Sequence, residues 1–383
     1  MDKPTDISTP PTPPPKGARV VVGMSGGVDS SVAAYLLKQQ GYDVIGVTMK
    51  VWPQDCVSHA EDKCCGPQAI ADARSVAHTL GIPHYVVDEG ENFERLVIDY
   101  FTAEYQAGRT PNPCVMCNEK VKFGNLWGKA KAIGADYIAT GHYAIVEHRE
   151  GRAVLRKGRD PRKDQSYFLF SLRQPQLLRA LLPLGGMEKT EIRAIARSIG
   201  LKTADKEDSQ EICFVPGNDY KAFLKSHMGE MDFHRGGIFD KSGRRVAEHE
   251  GIELFTIGQR KGLPGGSPRP VYVIDIDPAT NSVIVGDAED LITGEFEMDH
   301  CSWHTDAEEP FEATVKIRYA HPGAAAIVYP QRDGTARVTL RVPQRAVTPG
   351  QAAVCYRGDE VLGGGWIARQ KAIAPAEFAA VAV

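Results

Sequence analysis

The sequence predicts an α/β fold: an N-terminal, doubly wound parallel sheet, then a small central β-rich module, then a C-terminal β-barrel. Three observations carry this. From Ala18 to about Ala139 short β-branched runs alternate with longer amphipathic segments, the pattern of a parallel sheet covered by helices on both faces. After about Pro216 the chain turns to short β-rich runs broken by Asp-Pro, Lys-Ser-Gly and Asp-Gly turns, which read as an all-β half. Gly286 to Gly294 forms a seam between module and barrel. The implied domains are a tail over 1–17, a catalytic domain over 18–216, the module over 217–290 and the barrel over 291–383.

In order, strands are expected over Ala18–Gly23, Val44–Met49, His84–Val87 and Tyr137–Thr140. Helices are expected over Ser30–Gln40, Gln68–Leu80, Glu91–Tyr105 and Lys120–Ile133. Gly41, Gly81 and Gly134 stand just past three of these helices, where a left-handed cap is wanted. Further strands are expected over Gly251–Ile257, Val271–Ile276, Val283–Val285, Ala313–Arg318, Ala325–Tyr329, Ala336–Val342 and Ala352–Tyr356. The proline-rich segment before Gly17 has neither the arginines of a transit peptide nor the apolar core of a signal peptide, and reads as a disordered tail.

At 383 residues with 42% hydrophobic and 25% charged residues, the composition is that of a soluble multidomain protein. No apolar run is long enough to span a membrane. Eight cysteines, with Cys64 beside Cys65 and a Cys114-x-x-Cys117 pair, suit a reducing cytoplasm, where such thiols are catalytic or metal-binding. The net charge of −4 gives no global argument for nucleic acid, but Arg149 to Arg173 holds eight basic residues against three acidic ones. Such a run is either a nucleic-acid contact or a solvated loop.

The strongest local signal is Val20-Val-Val-Gly23-Met24-Ser25-Gly26-Gly27-Val28-Asp29-Ser30-Ser31. An apolar strand passes through a glycine-rich turn into a helix, which builds an anion site from backbone N–H groups and the helix N-terminus. The serines add hydroxyl donors, and Asp29 is placed to cap the helix or hold hydrated Mg2+. The Lys-Ser/Thr pair of a Walker loop is absent. Because the turn is expected at the surface, changes at Gly26 or Asp29 are expected to spare the fold.

The second signal is Pro111-Asn112-Pro113-Cys114-Val-Met-Cys117-Asn118, where two thiols stand at the start of a helix that favours thiolates. A further thiol, Cys213, lies in Asp208-Ser-Gln-Glu-Ile-Cys213-Phe214. A cysteine flanked by Ile and Phe is equally a small core hydrophobe.

These stretches, with Thr140-Gly141-His142-Tyr143 and Lys163-Asp164-Gln165-Ser-Tyr167, together resemble the tRNA-specific 2-thiouridylases, the bacterial MnmA/TrmU family, whose phosphate loop is of the ATP-pyrophosphatase (PP-loop) type. The resemblance implies ATP- and Mg2+-dependent conversion of the wobble uridine of tRNA to 2-thiouridine, through adenylation of the 2-carbonyl oxygen. It assigns Gly23 to Ser30, Met49 and Gly141 to ATP, and Asn112, Pro113 and Cys114 to the target base. His142, Lys163, Asp164, Gln165, Arg318, Tyr319 and Gln351 fall to tRNA. Cys117 becomes the nucleophile and Cys213 the persulfide carrier, supplied by a cysteine desulfurase or sulfur-relay protein and leaving a Cys117–Cys213 disulfide. Many members carry Asp where this chain has Cys114. Three thiols would alternatively ligate a 4Fe-4S cluster, and a zinc site would need Cys64, Cys65 or a histidine as well. A PP-loop ligase or amidotransferase and a non-catalytic RNA-binding protein are the rival readings.

Overall fold

The computed structural model describes residues 14–51, 66–149, 151–206, 212–229, 233–263 and 270–369. The proline-rich tail up to residue 13, Cys64, Cys65 and Ser209 to Glu211 lie outside the described residues. The chain divides into two compact units, neither continuous in sequence. One gathers residues up to Val97, Cys114–Phe214 and Gly358–Leu362; the other gathers Ile98–Pro113, Val215–Arg357 and the chain from Gly363.

The first unit is built on a parallel sheet of β1 (Arg19–Gly23), β2 (Asp43–Lys50), β3 (His84–Asp88), β4 (Tyr137–Ala139) and β7 (Ala180–Leu181). The strand order is β3-β2-β1-β4-β7. Val20, Val21 and Val22 of the central strand are all fully buried, because a central parallel strand is covered on both faces. Helix α1 (Val28–Gln39) follows β1, and α2 (Pro67–Leu80) ends at Gly81 in the left-handed conformation. Gly41 and Gly134 are also left-handed, the conformation their places past helix ends call for.

Several local features depart from the sequence reading. The helix expected over Lys120–Ile133 begins as a wide π-helical stretch, Cys117–Leu126, and narrows to an α-helix only over Trp127–Ala132. Gln176 Nε2 donates to the Glu119 and Phe123 carbonyls at 3.1 Å each, giving two carbonyls of the wide turn a partner. A helix over Lys189–Ser198, unanticipated, buries Ile192 and Ala196 in the same core as Val28 and Val32 of α1. The basic run opens on a hairpin of β5 (Ala144–Arg149) and β6 (Arg152–Lys157). Much of its charge is met internally: Arg156 by Glu147 and Asp359, Arg159 by Glu188 and Glu191, Arg162 by Asp160.

In the second unit the helices Asp99–Gln106 and Tyr220–Met228 meet through aromatic pairs, Tyr105 stacked on Tyr220 at 4.8 Å and Phe101 edge-on to Phe223 at 5.8 Å. The central module is a sheet of β8 (Gly236–Asp240), β9 (Arg245–His249), β10 (Tyr272–Asp277) and β11 (Ser282–Gly286), ordered β10-β11-β8-β9. Gly251–Ile257 is not the expected strand but holds a single 3-10 turn, Ile252–Leu254. Ile252, Leu254 and Phe255 all enter the module's core, which strict period-two alternation does not allow. The barrel comprises β12 (Ile292–Trp303), β13 (Phe311–Lys316), β14 (Ala324–Pro330), β15 (Ala336–Arg345), β16 (Ala352–Arg357) and β17 (Glu360–Ile367). Their order is β12-β15-β14-β13-β16-β17, and β12 pairs with β17 to close it.

Candidate active site

The carboxyl ends of β2, β1 and β4 lie side by side in the sheet, the position where open α/β sheets bind ligands. Gly23, Met49 and Gly141 stand at or just past those ends. Met24 is anchored in the core, its N–H donating to the Val47 carbonyl at 2.8 Å and its carbonyl accepting from Thr48 Oγ1 at 2.7 Å. Beyond it the turn closes on itself: Ser25 N–H donates to Ser30 Oγ at 3.2 Å, and Ser31 Oγ donates to the Gly27 carbonyl at 2.7 Å. These bonds hold the loop in one shape before any ligand arrives, which is what an electrostatic cradle requires.

Gly26 lies at φ +71°, and a Cβ there would overlap the backbone carbonyl of Ala69 in α2. The turn is therefore packed, and the expectation that a bulky residue at Gly26 spares the fold is corrected by this contact. A Cβ on Gly141 would sit 2.7 Å from Ser30 N and 2.8 Å from the Asp29 carbonyl carbon. Gly141 thus presses on the first turn of α1, so its small size sets the position of the loop's donors.

Asp29 meets two partners that the sequence did not single out. Lys189 Nζ lies 2.8 Å from each carboxylate oxygen, and Tyr143 OH donates to Oδ1 at 2.6 Å. The basic segment braces both. Gln165 exchanges two hydrogen bonds with the Tyr143 backbone, at 2.8 and 3.0 Å. Asp160 accepts the Lys189 N–H at 3.2 Å and the Arg162 N–H at 3.0 Å. Burial pushes the Asp160 carboxyl up, but these donors outweigh it and hold it below its usual range. Lys206 Nζ bridges Asp72 at 2.7 Å and the Gly26 carbonyl at 3.3 Å. No spacing signal could have found Lys189, which is 160 residues from Asp29.

Several residues assigned to tRNA have internal partners. Asp164 is buried and accepts from Gly158 N–H, Ser166 N–H and Ser166 Oγ at 3.0 to 3.1 Å. His142 is buried with Nδ1 2.7 Å from Thr140 Oγ1. Burial first, and the Lys122 charge second, hold it well below the usual histidine range, so it stays neutral near pH 7. Lys163 is half-buried. In the second unit Arg318 and Tyr319 are exposed just after β13, with Lys316 Nζ 5.5 Å from the Tyr319 ring centre. Gln351 Nε2 donates to the carbonyls of Thr110 and Pro111 at 3.1 and 3.0 Å, fixing the turn that leads into Asn112 and Pro113.

The helical turn Pro113–Met116 carries Cys114 into the π-helical stretch that starts at Cys117. Three residues apart on a helical run, the two thiols share a face. Burial, then the neighbouring Cys117, push Cys114 up to about 11; burial raises Cys117 as well, and Lys122 opposes the rise in both. Both are therefore thiols near neutral pH. Asn118 is buried, donates from Nδ2 to the Phe168 carbonyl at 3.1 Å, and leaves Oδ1 without a partner among the described residues. Cys213 is half-buried beside Phe214, which packs edge-on to Phe93 at 5.8 Å. Cys114, Cys117 and Cys213 belong to the same unit and are all free of disulfides. Because only the thiolate reacts, iodoacetamide labelling of Cys117 should still be rising at pH 9, without the plateau of an ordinary thiol. A profile that levels off before that pH would contradict the raised thiol.

Residues 18–217 match the family described as tRNA methyl transferase HUP domain, residues 221–287 its PRC-barrel domain, and residues 293–367 the aminomethyltransferase beta-barrel domain. The chain is 48% identical to tRNA-specific 2-thiouridylase MnmA 1 of Clostridium botulinum (strain Loch Maree / Type A3), over 91% of this chain and 99% of that protein. It is 49% identical to tRNA-specific 2-thiouridylase MnmA of Acidithiobacillus ferrooxidans (strain ATCC 53993 / BNL-5-31), over 91% and 98%. With that identity along nearly the whole length, and with a phosphate loop and paired thiols in one unit, the chain belongs to the tRNA-specific 2-thiouridylase family.

Proposed function

We propose that this protein replaces the 2-oxygen of the wobble uridine in tRNA with sulfur, in two chemical steps that its two motifs divide between them. The observation that carries the reading is the self-braced Ser25–Ser31 loop at the sheet's carboxyl end, in the same unit as the thiols. A uridine carbonyl is a poor electrophile and its oxygen a poor leaving group. Transfer of the adenylyl group of ATP to that oxygen corrects both faults and releases pyrophosphate, whose charge the loop N–H groups stabilise. Gly23 to Ser30, Met49 and Gly141 surround the nucleotide, and Asp29 is the carboxylate that would hold its Mg2+. Asn112 and Pro113 meet the extruded base, which leaves a single-stranded loop at small cost.

Sulfur then attacks C2 and AMP departs. Cys213 carries the sulfur and Cys117 releases it, ending as a Cys117–Cys213 disulfide for cellular thiols to reduce. The donor is a cysteine desulfurase or a sulfur-relay protein. The alternative replaces this relay: with Cys114 in place of a carboxylate, three soft sulfurs, two of them desolvated, suit an iron–sulfur cluster, and Cys117 and Cys213 then stay ligands and form no disulfide. Cys114, Cys117 and Cys213 would hold it, and a 4Fe-4S cluster bound there would supply an iron for hydrosulfide. Iron analysis of anaerobically prepared protein tests that part. Loss of iron in Cys114→Asp supports a cluster, whereas full multiple-turnover activity in iron-free protein contradicts it.

Lys163, Arg318 and Tyr319 touch the tRNA directly, while Asp164, Gln165, His142 and Gln351 shape the segments that do so. Lys163→Ala and Arg318→Ala should each weaken tRNA binding and lower its salt slope by up to about one unit, with ATP affinity unchanged. An unaltered salt slope in the double variant would remove these residues from the interface. The function itself is tested by incubating the purified protein with unmodified tRNA, ATP, Mg2+, a thiol reductant, and cysteine with a cysteine desulfurase as the source of persulfide sulfur, then analysing nucleosides by mass spectrometry. Formation of 2-thiouridine with AMP in equal amount is expected; AMP without a thiolated nucleoside contradicts the reading.

A further inference from the structure

We propose that Lys122 is a catalytic residue of the sulfur-transfer step, its ammonium holding the phosphate of the AMP that leaves C2 of the adenylated uridine. The inference deepens the two-step reading above and rests on it. The π-helical stretch Cys117–Leu126 links the two motifs. Cys117 stands at its start. At its far end Leu126 lies against the first glycine of the phosphate loop, its Cδ2 3.7 Å from where a Cβ on Gly23 would stand. Between these ends the Phe123 ring meets the ring of His142, the residue after Gly141, at 6.2 Å. In an α-helix the residue stacked over Cys117 is the fourth one on; in the wider π turn, bonded to the fifth residue on, it is Lys122.

Lys122 is half-buried, yet its ammonium has no hydrogen bond or ion pair among the described residues. Lys120 and Lys129 on the same helical run are paired with Glu119 and Glu89. The stretch does not need the Lys122 charge for its shape, since Gln176 serves its carbonyls and Asn118 is tied to Phe168. A lysine drawn partly out of water without a partner is costly, and an anionic ligand offsets that cost. The charge also reaches Cys114, Cys117 and His142. Sulfur arrives at C2 and the displaced oxygen leaves from the same carbon, so a cation beside the thiols is beside the leaving group too. Hydrosulfide, whichever donor supplies it, gives its electron pair to C2. The C2–O bond breaks with its pair going to oxygen, and AMP departs with one more negative charge than the adenylate carried. The hydrosulfide proton passes to N3 of the base, which gave its own to water during adenylation, and the thiocarbonyl remains. Lys122 keeps its proton throughout and meets the charge that appears on the phosphate, as a lysine does when it binds phosphate as a point charge.

The test is a single turnover of the full-length protein with ATP, Mg2+, a thiol reductant, and cysteine with a cysteine desulfurase, at limiting and at saturating tRNA. Pyrophosphate, adenylated tRNA and 2-thiouridine are followed together. Lys122→Met should slow thiolation about a hundredfold or more, the scale of losing one preorganised group at a developing charge. Pyrophosphate release should stay within about twofold of the wild type, because the first step does not use this charge. Adenylated tRNA should accumulate, Lys122→Gln should repeat the loss, and Lys122→Arg should recover part of the rate. The loss should be unchanged as the pH is raised to about 9. A loss that shrinks with rising pH assigns the charge to the thiols, and a loss seen only at limiting tRNA assigns it to the RNA backbone. Pyrophosphate release falling in step with thiolation assigns it to ATP or to the fold. Each of these overturns the proposal, as does unaltered thiolation in Lys122→Met. A wild-type protein that makes 2-thiouridine without tRNA-dependent release of pyrophosphate instead refutes the two-step reading, and this inference with it.

Discussion

Cys117→Ser and Cys213→Ser will each reduce tRNA thiolation by at least about a thousandfold, the scale on which losing a covalent nucleophile is felt, while tRNA-dependent pyrophosphate release continues. Serine keeps the size of the side chain and removes the easily ionised sulfur, so neither persulfide chemistry nor iron ligation survives. The proposed adenylation draws on different groups, namely the Ser25–Ser31 loop, with its internal hydrogen bonds, and Gly141, which presses on α1. The variants should therefore accumulate adenylated tRNA, detectable by transfer of label from α-labelled ATP. Pyrophosphate release lost together with thiolation would show that the thiols belong to both steps. Full thiolation in Cys213→Ser would remove it from the reaction.

The second large effect separates the glycines of the proposed ATP site. Gly141→Ala should lower adenylation by roughly a hundredfold or more, the range seen when one oxyanion-type donor is lost, because the new Cβ meets backbone at Ser30 and Asp29. Gly26→Ala should destabilise the protein most. Its left-handed conformation alone costs about 1 to 2 kcal/mol for a residue with a Cβ, and the overlap with the Ala69 carbonyl of α2 adds to that. Gly27 provides the control: at φ −95° an added Cβ meets only Ser25 Oγ at 3.4 Å. Gly27→Ala should keep the wild-type melting temperature and weaken ATP binding. Equal melting temperatures for all three variants would contradict the packing described around Gly26.

The strand-to-helix turn was legible because everything that makes it lies within twelve consecutive residues: an apolar run, paired glycines and a polar helix start. Four of the six barrel strands were legible for a similar reason, since alternation and turn residues are local; β12 and β17, which pair to close the barrel, were missed. What holds Asp29 was not. Tyr143 and Lys189 reach it from 114 and 160 residues away, and tertiary packing alone brings them there. The wide helical turn at Cys117 was hidden for the same reason, because Gln176 serves its carbonyls from a different segment. Composition misled in one respect. The basic run looked like uncommitted charge, yet Arg156, Arg159 and Arg162 each have acidic partners within their own unit. Counting charge along the chain cannot distinguish an ion-paired guanidinium from one facing solvent.

In the proposed reaction the uridine 2-oxygen attacks the α-phosphorus of ATP and leaves on AMP. It is tested most directly with tRNA whose target uridine carries 18O at the 2-position, incubated with the protein, ATP, Mg2+ and a sulfur source, followed by mass analysis of the nucleotide products. The label is expected in AMP, in amount equal to the 2-thiouridine formed, and not in pyrophosphate. Label released to water, with unlabelled AMP beside fully formed 2-thiouridine, would contradict it.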